Sequence, residues 1–194
     1  MIHGQRMTQI GRRTFVAGAA LLPVLLLAPR ARATLMRGLS LRALCEQSQH
    51  MVIARAIEAQ CVSLPIAGRS MIVTETKVRI DDSLAKVAPD HTELVVRTLG
   101  GVLNGVGELV HGQAALSFGE PCLAFLKRAD DGALWVTGMA QGHYPLVSVG
   151  HAEPRLGPSP RLPTLADFER SAVRALVGRS LLQARALIAR ENGQ

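Results

Sequence analysis

Aromatic residues are scarce in this chain, with one Trp, one Tyr and four Phe among 194 residues. So few flat rings leave no platform on which bases or sugars would stack, and the core must be built from Val, Leu, Ile and Ala. Lysine is as thin. Lys77, Lys86 and Lys127 are scattered and no basic run exists, which argues against a nucleic-acid partner. The chain lacks a Gly-Lys pair for a P-loop, and Gly101, Gly105 and Gly107 do not form Gly-x-Gly-x-x-Gly. His50, His91, His111, His143 and His151 never fall at His-x-x-x-His, and Cys45, Cys61 and Cys122 never at Cys-x-x-Cys, so neither a metal nor a cofactor is expected. Three cysteines are an odd number, leaving at least one thiol unpaired within the chain.

What is present is most specific at the start. Arg12 and Arg13 stand together in Gly11-Arg12-Arg13-Thr14-Phe15-Val16, two arginines followed by any residue and the large apolar Phe15. This matches the core of a twin-arginine export signal. The uncharged stretch from Thr14 to Pro29 is shorter than the roughly 20 apolar residues a membrane span needs, and Pro23 interrupts it. Ala31 and Ala33 flank Arg32 in the small-x-small pattern of a cleavage site. Residues 1–33 are therefore expected to engage the twin-arginine translocase and a signal peptidase and to be removed. The mature chain, from Thr34, is expected in the periplasm or outside the cell, meeting the membrane only through its signal. A buried N-terminal helix with a chance arginine pair, or an uncleaved anchor, are the alternatives.

The signal also accounts for most of the charge. Of 22 basic residues, Arg6, Arg12, Arg13, Arg30 and Arg32 precede Thr34, and none of the 15 acidic residues does. The remainder carries 17 basic against 15 acidic groups, so the basic balance says little about partners. Its 161 residues suit one domain.

Ser40 is placed to cap a short helix running to about Glu46. His50 to Leu64 reads as a long strand ended by Pro65 and Gly68. From Met71 to Asp82, Ile72, Thr74, Thr76, Val78 and Ile80 alternate with Val73, Glu75, Lys77 and Arg79, the two-residue period of a strand with one wet face. Thr92–Leu99, Pro121–Lys127, Ala133–Thr137 and His143–Val149 complete the strands, and Glu108-Leu109-Val110 is a further short candidate. Asp131-Gly132 signals a hairpin. Pro154, Pro158, Pro160 and Pro163 make residues 153–163 a stiff connector. Thr164, with Asp167 three residues on, is expected to cap an amphipathic helix over 164–191 carrying Leu165, Phe168, Ala172, Leu176, Ala184, Leu187 and Ile188 on one stripe. The expected architecture is mainly β: a small antiparallel barrel over 34–152, flanked by a short N-terminal helix and a C-terminal amphipathic helix packed on the barrel.

Four groups of residues carry a resemblance. They are Thr74-Glu75-Thr76-Lys77-Val78; Val96-Arg97-Thr98-Leu99-Gly100-Gly101; Gly119-Glu120 before Leu123-Ala124-Phe125-Leu126; and Gly138 with Gln141-Gly142-His143-Tyr144. Over Glu58–Val149 the chain resembles uncharacterised exported bacterial domains with an OB-like, loosely netrin-like barrel. The resemblance implies a fold and supplies no catalytic residue. A netrin-like inhibitor would carry a disulfide-linked cysteine at the mature N-terminus, where this chain has Thr34.

The chemistry is sparse. Ser117 sits in a faint serine-hydrolase elbow, but Pro121 and a strand follow where a helix is required. Cys122 would need His143 brought beside it to act as a thiolate. Asp81-Asp82 and Asp130-Asp131 are turn pairs without EF-hand spacing. The expected function is a non-catalytic exported module that binds a protein or peptide through loops, Gly100–Gly107 and His143-Tyr144 among them, or through an open strand edge. A small extracytoplasmic hydrolase using Ser117 or Cys122, and a metal-binding passenger, are the alternatives.

Overall fold

Alternation of side chains builds the sheet, and two long strands dominate it. The computed structural model describes residues 35–84, 92–148, 150 and 152–193. Arg12, Arg13, Phe15, Ala31 and Ala33 lie outside the described residues, as do His91 and His151. Strand β1 (Leu35–Arg37) leads into helix α1 (Leu41–Glu46), which Ser40 caps by accepting a hydrogen bond from the Ala43 amide at 3.1 Å. Strands β2 (His50–Ile66) and β3 (Arg69–Ser83) form a hairpin whose turn residues, Ala67 and Gly68, both have positive φ. This is the type I′ geometry that suits the twist of paired strands. Next come β4 (Glu93–Leu99), the small hairpin β5 (Gly101–Leu103) and β6 (Val106–Glu108), then β7 (Pro121–Arg128), β8 (Leu134–Val136) and β9 (His143–Val147).

With β10 (Arg155–Leu156), strand pairings run β10-β9-β7-β2-β3-β4-β8, and β8 pairs again with β7, so β7-β2-β3-β4-β8 forms a ring. One edge of β7 serves β2; the other is shared between β9 at Cys122–Ala124 and β8 at Leu126–Arg128. The ring is not wholly antiparallel as expected, because β4 and β8 pair in parallel at Val96–Leu134 and Arg97–Trp135. The chain returns from β7 through a tight turn, so β8 runs against β7 and along β4.

Two apolar clusters lie back to back across this sheet. Val52, Ala54, Val78, Val96, Cys122, Ala124, Leu126 and Val136 fill one side. On the other, Met51, Ile53, Leu123, Phe125 and Tyr144 pack against Leu41 and Leu44 of α1 and against the C-terminal helices. Strand β7 supplies both clusters, which explains why it reads as an unbroken apolar run rather than an alternating one. Each fully buried Leu or Phe there contributes about 1.5–3 kcal/mol relative to exposure.

The C-terminal segment departs from expectation. Thr164–Ala166 is not the start of a helix but strand β11, lying parallel to β1 with Leu165 opposite Met36. A 3₁₀ turn (Phe168–Arg170), α2 (Ala172–Leu176) and α3 (Leu181–Glu191) follow in place of one continuous helix. Two caps divide the segment. The Ser171 hydroxyl accepts from the Arg174 amide, and Ser180 forms a capping box with Gln183, while Gly178 (φ 81°) provides the left-handed residue between α2 and α3. Ala172, Val173, Leu176, Ala184 and Ile188 still deliver the apolar stripe to the sheet. The Pro-rich stretch also gives up two residues, Arg155–Leu156, as edge strand β10 beside β9.

Candidate functional site

The outer edge of β2 is open over part of its length. Pairing with β7 stops at Arg55–Pro121, and the Gly119 amide then reaches the Ala56 carbonyl at 3.0 Å. A bulge at Ile57 follows, and from Glu58 to Ile66 β2 pairs with β3 alone. The pattern of free groups follows from the turn. In a two-residue I′ hairpin the closing pair, Ile66 and Arg69, exchanges main-chain hydrogen bonds, and such pairs alternate outward. Glu58, Gln60, Val62 and Leu64 therefore bond to β3, whereas Ala59, Cys61, Ser63 and Pro65 turn their main-chain groups away from it. Strand β3 obeys the same alternation. Ile72, opposite Ser63, turns outward, and there its amide meets the Glu108 carboxylate at 2.7 Å and its carbonyl the Gly100 amide at 2.7 Å. So the outer edge of β3 is covered where β4 ends, and no described residue does the same for Ala59, Cys61 and Ser63 on β2.

Two surfaces flank that edge. On one, Gln60 donates to Glu75 (3.1 Å), Arg97 bonds Glu75 through Nε (2.9 Å) and Asp131 through Nη1 (2.9 Å), and Lys77 meets Glu93 at 2.7 Å. The Glu93 contact holds the exposed Lys77 ammonium above its usual pKa. Glu58, Gln60, Glu75, Lys77 and Val95 line a shallow hollow of about 190 Å³ there. On the other surface lies the β5–β6 hairpin, turned at Asn104-Gly105 with both φ values positive. Gly101 rests so close to β2 and β3 that a Cβ would stand 2.6 Å from Cys61 Sγ and 2.7 Å from Thr74 Oγ1. Val102 and Val106 of this hairpin are exposed.

The residues singled out for chemistry are dispersed. Ser117 is exposed in the segment before β7. Cys122 and His143 reach neighbouring strands two positions out of register, Cys122 opposite Pro145 and His143 opposite Ala124. Cys122 Sγ donates to the Ala54 carbonyl at 3.5 Å, and burial pushes its thiol up to about 12. Cys45 is buried too, its thiol raised to about 11 by burial and then by Glu191 and Glu46. Cys61 is half-buried, and all three thiols are free. Asp81 serves Arg55 (2.6 Å), Asp82 pairs with Arg185, and Asp131 serves Arg97. No group of three potential metal ligands occurs among the described residues.

The run Gly138–Tyr144 is a closed structural hub rather than a loop open to ligands. Gln141 Oε1 accepts from the Leu39 amide (2.7 Å), and its Nε2 donates to the Arg37 carbonyl (3.0 Å), fastening the first described residues to the sheet. Gly142 has no room for a side chain, since a Cβ would lie 2.1 Å from the Thr137 carbonyl oxygen. His143, 2 % exposed, shares a 3.0 Å hydrogen bond with Ser159, and burial lowers its pKa to about 4. The Tyr144 hydroxyl is buried with no partner among the described residues; burial, then Cys45, raises its pKa. Both members of the His143–Ser159 pair are sealed from solvent, so a substrate has no path to them. Gln141 entered the sequence reading only within the Gly138–Tyr144 group and without a structural role, and for Ser159 the one hint was a small polar residue held between Pro158 and Pro160. No protein-family model and no curated protein matches the chain.

Proposed function

We propose that this chain is an exported, non-catalytic module that takes up an extended segment of a protein or peptide along the free edge of β2. The observation that carries the reading is the row of unpartnered main-chain groups at Ala59, Cys61 and Ser63, beside a β3 edge whose equivalent groups are covered. An added strand satisfies such groups, and this is a general mode of peptide recognition. The order of the ring supports an OB-like barrel beneath it. Three successive antiparallel strands, β2-β3-β4, are closed by β8 and β7, with the third and fifth strands parallel. The Arg12-Arg13 signal supports export through the twin-arginine route to the periplasm or beyond. A non-catalytic role is supported by Cys122, whose thiol donates to the Ala54 carbonyl, and by the burial of His143 against Ser159.

A benzophenone side chain placed at position 63 tests the site, with position 182 on the far exposed surface of α3 as control. Irradiation of producing cells is expected to yield a defined adduct from position 63 alone. No adduct at 63, or the same adducts from both positions, refutes edge binding. Replacing Arg12 and Arg13 together by Lys is expected to leave unprocessed chain inside the cell; unchanged processing to a product starting near Thr34 refutes the export route.

A further inference from the structure

The groups beside the β2 edge are specific enough to describe the strand that pairs with it. We propose that the edge selects an extended segment, about five residues long, in which cationic side chains alternate with apolar ones. The proposal rests on the edge-binding role given above and adds the chemistry of the partner.

Length follows from the two ends of the open stretch. At one end the Gly119 amide already occupies the Ala56 carbonyl, and the bulge at Ile57 breaks the register. At the other, Pro65 has no N–H to offer. Between them lie three donors, at Ala59, Cys61 and Ser63, enough for a segment of roughly five residues.

Alternation follows from the pleat, because successive side chains of an added strand join opposite faces. One face continues the row Glu58, Gln60, Val62. Around Glu58 that surface carries five carboxylates, Glu58, Glu75, Asp81, Glu93 and Asp131, and four cations, Arg55, Lys77, Arg79 and Arg97. Lys77 is engaged by Glu93, Arg97 by Glu75 and Asp131, and Arg55 and Arg79 by Asp81, which leaves Glu58, opposite Lys77, exposed with no ion pair among the described residues. A Lys or Arg on the incoming strand meets the Glu58 carboxylate, which no ion pair among the described residues engages, whereas a Glu meets like charge. The other face continues the row Ala59, Cys61, Ser63, small side chains over which Gly101 brings the β5–β6 hairpin. With Val102 67 % and Val106 64 % exposed on that hairpin, the same face favours apolar side chains.

Two capped pentapeptides, Val-Lys-Val-Lys-Val and Val-Glu-Val-Glu-Val, probe this on the full chain. Each would be titrated at low salt while amide hydrogen exchange is followed by NMR. The Lys peptide is expected to protect the amides of Ala59, Cys61 and Ser63, and to bind about threefold tighter than the Glu peptide, as suits one exposed ion pair. Glu58→Lys is expected to reverse that order. Equal protection by both peptides, or an order unchanged in Glu58→Lys, overturns the charge selection while leaving the edge as a binding site. If neither peptide protects the three amides, the edge-binding reading falls as well. Protection that grows with protein concentration in the absence of peptide overturns the proposal in favour of a second copy of the chain on the edge.

Discussion

Acidification should weaken this fold through one histidine. His143 is sealed in the interior against Ser159, and burial brings its pKa from 6.5 down to about 4. Between those values the unfolded chain binds a proton that the folded chain refuses. Stability contributed by the neutral imidazole is therefore complete above about pH 6.5, declines as pH falls, and levels off once pH passes below about 4. Linkage puts the loss at about 2 kcal/mol between pH 7 and pH 5, rising to about 3 kcal/mol at pH 4. That is a large share of the roughly 5–15 kcal/mol that holds a domain together. His143→Asn can still hydrogen-bond Ser159 and cannot take the proton. Urea unfolding of both proteins at pH 7, 6 and 5 isolates the effect, because every other titrating group is common to the pair. The midpoint of the parent chain is expected to fall more steeply, with the difference between the two free energies shrinking by about 2 kcal/mol. If the two proteins lose stability in parallel, or if the imidazole signals of His143 titrate near pH 6.5 in the folded chain, the reasoning is wrong.

Further predictions concern backbone room and thiol access. Gly142→Ala drives a methyl group into the Thr137 carbonyl and is expected to cost about 3 kcal/mol or more, whereas Gly132→Ala meets no atom and carries only the strain of its positive φ, about 1 kcal/mol; thermal melts of the two variants check the order, and equal losses would refute it. Cys61 is expected to react with a maleimide in the folded chain, while Cys45 and Cys122 react only after denaturation, with peptide mapping by mass spectrometry as the readout.

The local grammar of the fold was legible before the structure. Ser40 announced α1, the alternation from Ile72 to Ile80 announced β3, and Asp131-Gly132 announced the turn into β8. What went unread depends on distant partners. Leu165 sits at a helical spacing, yet a main-chain ladder with β1, some 130 residues earlier, outweighs that local preference and draws Thr164–Ala166 into a strand. Gln141 carries no periodic signal, and its role exists only because residues 37 and 39 arrive beside it. The free edge is of the same kind. Pro65 hints at an edge strand, but which edge stays open is decided by where β7 stops and how the I′ turn sets the alternation. Ser117 and Cys122 were readable as residue types; the burial of Cys122 and His143 was not.

The pairing of β1 with β11 also has a consequence in time. Leu35, Met36 and Arg37 are made some 130 residues before their partners Thr164, Leu165 and Ala166. Contacts between such remote positions form slowly, because a long loop must close before the ladder contributes anything. Strand β1 therefore waits for β11, and the stretch that follows the expected cleavage site becomes fixed only after residue 166 has been made. Strand β1 is thus read first and paired late.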